Sequence, residues 1–146
     1  MIAKAGLKDL NPLRHLERVC FGGDAWPILD LVGVLVLPGL VRLKASSAGR
    51  MVGFASGDPR PGEGLGWIST IGVLPEFRRQ GVATALLHAC ETEMNFPVVR
   101  LTVRRSNDAA ASFYFREGFR MVDVWPNYYF DGEDGLVMEK RRLKIC

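Results

Sequence analysis

A chain of 146 residues, 48% hydrophobic and 24% charged, has the composition of a folded protein, and its length suits one domain over 1–146 that buries a core without metal or disulfide staples. A net charge of +3, with no basic run beyond Lys140-Arg141-Arg142, gives no electrostatic case for nucleic acid. Cys20, Cys90 and Cys146 are odd in number and lack Cys-x-x-Cys spacing, which excludes a disulfide framework or zinc site and fits a reducing, cytoplasmic compartment. No leader pattern is present, and the most apolar window, Ile28–Leu37, carries Asp30 and falls far below the ~20 residues of a membrane span.

In chain order, Ile2–Ala5 reads as a short edge strand. Asp9 or Asn11 can cap a first helix, with Pro12 in its first turn and Leu13, Leu16 and Val19 at helical spacing. Phe21-Gly22-Gly23-Asp24 breaks it, and a second helix runs from about Trp26 to Leu37, stopped by Pro38-Gly39. Leu40–Ala45 alternates as a strand and pairs back with Met51–Ser56 as a hairpin. Gly57–Gly64, with Pro59 and Pro61, reads as a loop. Leu65–Leu74 is the next strand, followed by a turn and a helix over about Gly81–Asn95, then a strand over Pro97–Val103. Asn107 caps a helix through about Glu117, and Gly118 ends it. Phe119–Trp125 is a strand, Asn127–Glu133 a loop, and Gly135–Arg141 closes the sheet as the last strand. The strand–helix–strand unit over residues 65–104 demands a right-handed crossover between parallel strands. The class is therefore α/β (α+β): a mixed, mostly antiparallel sheet with one splayed parallel pair, flanked by helices.

The densest chemistry lies between the strand ending at Val73-Leu74 and the helix after Gly81. The first N–H groups of a helix have no internal acceptor, and the helix dipole places partial positive charge there. Gly81 has no Cβ, so an anion can approach the main chain closely, and Arg78 and Arg79 can add charge-assisted bonds from the rim. Gly-x4-Gly-Lys-Ser/Thr is absent, and so is Gly-x-Gly-x-x-Gly, which excludes the nucleotide loops those patterns mark. The turn suits a pyrophosphate-bearing cofactor.

What remains is Arg78-x-x-Gly81-x-Ala83 after Val73-x-Pro75, followed downstream by Asn107-x-x-Ala110-x-x-x-Tyr114-x-x-x-Gly118-Phe119. The two patterns, in this order and spacing, resemble the acetyl-CoA-binding motifs of the GNAT N-acetyltransferase superfamily. The resemblance runs from about Val52 to the C-terminus and more loosely covers the first fifty residues. It implies the GNAT (acyl-CoA N-acyltransferase) fold and acetyl-CoA as cosubstrate, with Ile71, Val73, Arg78, Arg79, Gln80, Gly81, Val82, Ala83 and Thr84 around the pantetheine and pyrophosphate. It also implies that the Val73 N–H faces the thioester carbonyl. On the second motif it implies Asn107, Tyr114 and Arg116. Tyr114 is the candidate acid for the leaving thiolate, since a phenol of pKa about 10 stays protonated at neutral pH; packing beside Phe113 and Phe115 is its structural alternative. Arg116 suits a distal phosphate or solvent, and Asn107 is explained equally by its cap.

The stretch Asn127-Tyr128-Tyr129-Phe130-Asp131-Gly132-Glu133-Asp134 resembles the C-terminal hairpin of protein N-terminal acetyltransferases, of the RimI type and of the catalytic subunits of the NatA complex. There Tyr128 and Tyr129 would clamp a peptide backbone; an aromatic tip packing on the core is the alternative. The chain departs from those subfamilies at both of their general-base positions, where Thr102 and Trp67 stand. Glu63, Asp24 and His88 are the substitutes within the sequence, and Cys90 reads as a buried small hydrophobe rather than a nucleophile.

A missing base weighs unequally on different acceptors. At pH 7.5 roughly a third of a peptide α-amine (pKa about 7.7–8.0) is neutral, against about one part in a thousand of a lysine, which costs roughly 0.7 and 4 kcal/mol respectively. The expected activity is direct acetyl transfer to a peptide or protein N-terminus. A small-molecule amine and a non-catalytic acyl-CoA sensor are the alternatives, and a homodimer is left open.

Overall fold

The computed structural model describes residues 1–142; Cys146 lies outside them. Seven strands, β1 (Ile2–Lys4), β2 (Val41–Ser47), β3 (Arg50–Arg60), β4 (Leu65–Val73), β5 (Val98–Arg104), β6 (Arg120–Trp125) and β7 (Gly135–Arg141), accompany four helices, α1 (Leu10–Phe21), α2 (Ile28–Val36), α3 (Val82–Met94) and α4 (Asp108–Arg116). The hydrogen-bonded order is β1-β2-β3-β4-β5-β7-β6. The expected parallel pair is β4–β5, in register from Leu65↔Val98 to Trp67↔Arg100, while β1–β2, β2–β3, β5–β7 and β6–β7 are antiparallel. Residues 1–59 with 68–95 form one compact unit, and residues 60–67 with those from 96 onward form a second.

In the first unit, β3 presents its two faces to different helices, as the period of two requires. Phe54 is fully buried in a cluster with Leu13 and Leu16 of α1 and Leu31, Val34 and Leu35 of α2. Gly53 and Gly57 face α3. A Cβ at Gly53 would lie 2.9 Å from Leu86 Cδ1, and one at Gly57 would lie 2.7 Å from Met94 Sδ and 3.0 Å from Cys90 Sγ. The helix packs this closely because those two positions carry no side chain.

Several sequence expectations are corrected here. On α1, Val19 is exposed, and Glu17 occupies the buried stripe with Leu13 and Leu16. Asp9 stands at the N-cap position of α1 without a capping bond. Its carboxylate instead accepts from the Gly6 N–H at 2.9 Å and from Lys44 Nζ at 2.9 Å. Helix α2 starts at Ile28 rather than Trp26, because Pro27 is its N-cap at an extended ψ of 154° and a residue before proline is pushed out of the helical region; the Trp26 N–H donates to Glu17 Oε1 at 3.1 Å. The loop expected from Gly57 is strand as far as Arg60. Pro59 is tolerated because the β2 register ends at Val41↔Gly57, so no β2 acceptor awaits the N–H that proline lacks.

In the second unit, Val99, Leu101 and Val103 alternate into the core of β5. Strand β7 does not close the sheet at its edge: it lies between β5 and β6. Val137 and Met138 of this interior strand are buried, whereas Met121 and Val122 of β6 are exposed. The β6–β7 register steps from Met121↔Met138 to Asp123↔Val137, leaving Val122 as the extra residue of a bulge. Helix α4 has the expected ends. Asn107 Oδ1 accepts from the Ala110 N–H at 3.1 Å. Gly118 sits at φ +101°, with Phe119 N–H on Tyr114 O at 2.9 Å and Gly118 N–H on Phe115 O at 3.1 Å, the paired bonds of a Schellman end.

Replacing Gly57 with valine forces Met94 and Cys90 apart and should lower stability by about 1–3 kcal/mol, the usual range for overpacking. The midpoint of urea unfolding measures it, and an unchanged midpoint would show that α3 moves away freely.

Candidate active site

The turn from β4 into α3 is built from local constraints. After Val73, residues Pro75–Phe77 form a 3-10 turn, and Gln80 Nε2 donates to Glu76 O at 3.2 Å. Arg79 adopts φ +62° and Gly81 φ +80°, a left-handed region that glycine enters at no steric cost. Gly81 is the N-cap of α3 and has no side chain to satisfy the first amides of the helix. A Cβ there would meet nothing within 4 Å, so the glycine is required by its backbone angle, and the space beside it is open. Val82, Ala83 and Thr84 form the first turn.

Arg78 and Arg79 are both exposed on the turn. Arg78 Nε donates to Val73 O at 2.9 Å, and its Nη2 lies 3.8 Å from Cys20 Sγ. The Cys20 thiol also donates to Val73 O, at 3.4 Å, so Arg78 and Cys20 together hold the end of β4. The Leu74 N–H pairs with β3, on Val52 O at 2.9 Å. Because successive amides of a strand point to opposite edges, the Val73 N–H points to the edge of β4 away from β3. Ile71, two residues earlier, is half-buried on the same strand.

In the second unit, Asn107 caps α4 and Arg116 is exposed near the other end of that helix. Tyr114 is 8% exposed and stands edge-on to Phe113 and Phe119, with centroids 5.1 and 5.5 Å away. The rings of Trp67, Trp125, Tyr128 and Tyr129 form a continuous run with successive centroid distances of 5.7, 5.2 and 5.0 Å. Trp67, in the place of one familiar base, starts this run. Thr102, in the place of the other, packs its methyl where a Gly135 Cβ would lie, 2.8 Å from it, with Tyr128 on the same glycine.

The hairpin tip that carries the tyrosines is tied to the end of β5. Arg104 Nη1 reaches Asp131 Oδ2 at 2.8 Å and Glu133 Oε1 at 2.7 Å, and the Ser106 N–H donates to Glu133 Oε2 at 2.7 Å. The Arg104 guanidinium lies 4.3 Å from the Tyr129 ring centroid. Hydrogen bonds from Ser106 and Arg104 hold the Glu133 carboxyl below its usual range.

Of the substitute bases, Glu63 is exposed and paired with Arg60 at 3.5 Å, His88 is exposed on α3, and Asp24 is half-buried in the 3-10 turn after α1. Burial pushes the Cys90 thiol up to about 12 and raises that of Cys20, which removes both as thiolate nucleophiles at neutral pH.

Sequence reading missed Glu17. It is 1% exposed, accepts from the Trp26 N–H and, at 3.4 Å, from Thr70 Oγ1, and desolvation raises its pKa. The available signal was its position between Leu13 and Cys20 on one helical stripe, a charge where the period demands an apolar residue. Among the described residues no group of His, Cys, Asp and Glu gathers to hold a metal ion, and no helix is long and apolar enough to cross a membrane.

A mixed sheet with one parallel pair, and a glycine-led helix N-terminus directly after the parallel strand, define an acyl-CoA N-acyltransferase architecture. The chain belongs to the GNAT acetyltransferase family, whose model matches residues 13–119, and it is an N-acetyltransferase. It is 34% identical to an uncharacterized N-acetyltransferase of Methanocaldococcus jannaschii, over 97% of this chain and 92% of that protein. It is 32% identical to the catalytic subunit of the N-terminal acetyltransferase A complex of Arabidopsis thaliana, over 95% of this chain and 76% of that one. The crystal structure of the ribosomal-protein-S18-alanine N-acetyltransferase of Escherichia coli superposes with a TM-score of 0.87 at 25% identity, covering 100% of this chain and 96% of that one.

The raised pKa of Glu17 has a definite sign for stability. The folded protein holds the Glu17 proton more tightly than the unfolded chain, so stability falls as pH rises from the ordinary value of 4.5 through the higher folded value. Glu17→Gln keeps an acceptor for Trp26 without the charge. The variant should gain on the wild type as pH rises across that window, read as the difference in urea midpoints between pH 4 and pH 7. A constant difference would show that the carboxylate carries no burial penalty.

Proposed function

We propose that this N-acetyltransferase moves the acetyl group of acetyl-CoA directly to the α-amine of a peptide or protein N-terminus. The observation that carries the cofactor half is the turn at Arg79–Gly81, whose two left-handed residues present the uncapped start of α3. In this reading the pyrophosphate rests on the amides of Gly81–Thr84, with Arg79 and Gln80 beside it. Ile71 and Val73 offer main-chain groups to the pantetheine arm, and Asn107 and Arg116 serve the cofactor from α4. The Val73 N–H, aimed off the free edge of β4, polarises the thioester carbonyl, a job for which a fixed backbone donor is suited. Arg78 and Cys20 serve indirectly, by fixing the Val73 peptide.

The neutral amine attacks the carbonyl carbon, the C–S bond breaks, and the departing thiolate takes the Tyr114 proton. The amine's surplus proton passes to solvent. No enzyme thiolate takes part, in keeping with the raised thiols of Cys20 and Cys90. Tyr128 and Tyr129, on a tip held by ion pairs, are read as the clamp on the acceptor backbone. The names of two relatives above, one the catalytic subunit of an N-terminal acetyltransferase complex and one a ribosomal-protein alanine N-acetyltransferase, support this acceptor.

Tyr114→Phe should leave acetyl-CoA affinity and fold intact and lower kcat by about 10²–10⁴-fold, the usual weight of a general acid. Turnover equal to the wild type would make Tyr114 a packing residue.

With Thr102 and Trp67 at the base positions, kcat/KM for a peptide found by a free-thiol screen should rise with pH through the amine's own pKa, near 8. It should show no further break at about pH 6–7 of the kind a glutamate or histidine base produces. A break there would reveal a base on the protein. Acetylation of small amines with no turnover of any peptide would replace the acceptor assignment.

A further inference from the structure

We propose that Arg104 is the positioning residue of the acceptor clamp: through Asp131, Glu133 and the Tyr129 ring it fixes the hairpin tip on which Tyr128 and Tyr129 meet the peptide. The inference rests on the peptide reading above and adds a residue that neither motif contains.

The geometry of the tip argues for a dedicated anchor. The loop between β6 and β7 is long, and although Tyr128 packs on Trp125, Tyr128 is still 51% exposed and Phe130 81% exposed. Such a loop is held by apolar contact on one side only, and an incompletely anchored loop samples many conformations. Arg104 supplies the second anchor. Its Nη1 meets both oxygens of Asp131, at 3.0 and 2.8 Å, and Glu133 Oε1 at 2.7 Å. Its guanidinium carbon sits 4.3 Å from the Tyr129 centroid and 5.9 Å from that of Phe130. One side chain thus grips both carboxylates and two rings of the tip.

The grip is braced from within the loop. Glu133 N–H donates to Asp131 Oδ1 at 3.1 Å, and Tyr129 N–H donates to Glu133 O at 3.1 Å. Asp134 Oδ1 accepts from the Asn127 N–H at 3.1 Å, closing the base of the loop. The second Glu133 oxygen takes the Ser106 N–H, the residue immediately before the Asn107 cap of α4. Arg104 itself stands on β5 opposite Gly135, two residues beyond Thr102, so its stem comes from the sheet and not from the loop. The chemistry also suits arginine: the face of a planar guanidinium stacks on a ring while its N–H groups reach carboxylates in the plane.

The test uses full-length Arg104→Met and Arg104→Lys variants with a peptide that the wild type acetylates. In Arg104→Met the peptide KM should rise by tenfold or more, while kcat at saturating peptide and the acetyl-CoA Kd stay within about twofold. Arg104→Lys should recover only part of the loss, because a lysine keeps the charge without the fork. Amide hydrogen exchange reads the clasp without any substrate, and the Tyr129 and Ser106 amides should exchange faster in Arg104→Met. A folded Arg104→Met with wild-type KM overturns the inference, as does a fall in kcat at unchanged KM or full rescue by lysine. If the wild type acetylates no peptide, the acceptor reading fails. In that case unchanged exchange at Tyr129 would remove the anchor as well, and faster exchange would retain Arg104 as the anchor of the tip.

Discussion

The close approach of α3 to β3 is the constraint from which the turn between β4 and α3 follows. Gly53 and Gly57 let Leu86, Cys90 and Met94 press against the strand backbone, which fixes where α3 begins. Strand β4 is fixed too, by Leu74 on Val52 of the same β3. The few residues between Val73 and Val82 must therefore span a set gap. They do so with Arg79 at φ +62° and Gly81 at φ +80°, angles that turn the chain sharply enough to leave the helix N-terminus uncovered. An arginine in the left-handed region costs about 1 kcal/mol, and the interdigitated helix and strand sustain it.

Behind the same strand end, α1 does work that its amphipathic pattern does not announce. Glu17 draws the Trp26 amide and the Thr70 hydroxyl together, and Cys20 reaches the Val73 carbonyl that Arg78 also holds. One helical face thus supports both the C-terminal end of β4 and the segment leading to α2. Burial of a carboxylate without a paired cation is unfavourable by itself, so its hydrogen bonds position rather than stabilise.

Legibility in the sequence followed the range of the chemistry. The Gly81 turn, the Asn107 cap and the Gly118 end were readable because each is written in a few neighbouring residues, and the parallel pair because a strand–helix–strand unit admits one handedness of crossover. The end of β3 was not, since Pro59 looks like loop punctuation until the length of β2 is known. Glu17 and Arg104 were passed over for one shared reason. Each acts on a partner distant in sequence, Thr70 for Glu17 and Asp131 and Glu133 for Arg104, and a charged residue on a helix or strand looks solvated until that partner is in place. The order of β6 and β7 was not legible either, because both strands carry apolar residues and strand order depends on pairing distant in sequence.

The bulge at Val122 has a consequence for how molecules of this protein meet one another. An outermost strand with free amides and carbonyls is a template on which a second chain can polymerise. Here the ladder is broken by the extra residue, Asp123 Oδ1 takes the neighbouring Val124 amide at 2.8 Å, and Arg120 Nη1 occupies the Phe119 carbonyl at 2.9 Å. Two of the main-chain groups along this segment are thus engaged by its own side chains. Met121 and Val122 lie open to water beside a bulge rather than on a regular ladder, an arrangement that works against pairing with an incoming strand.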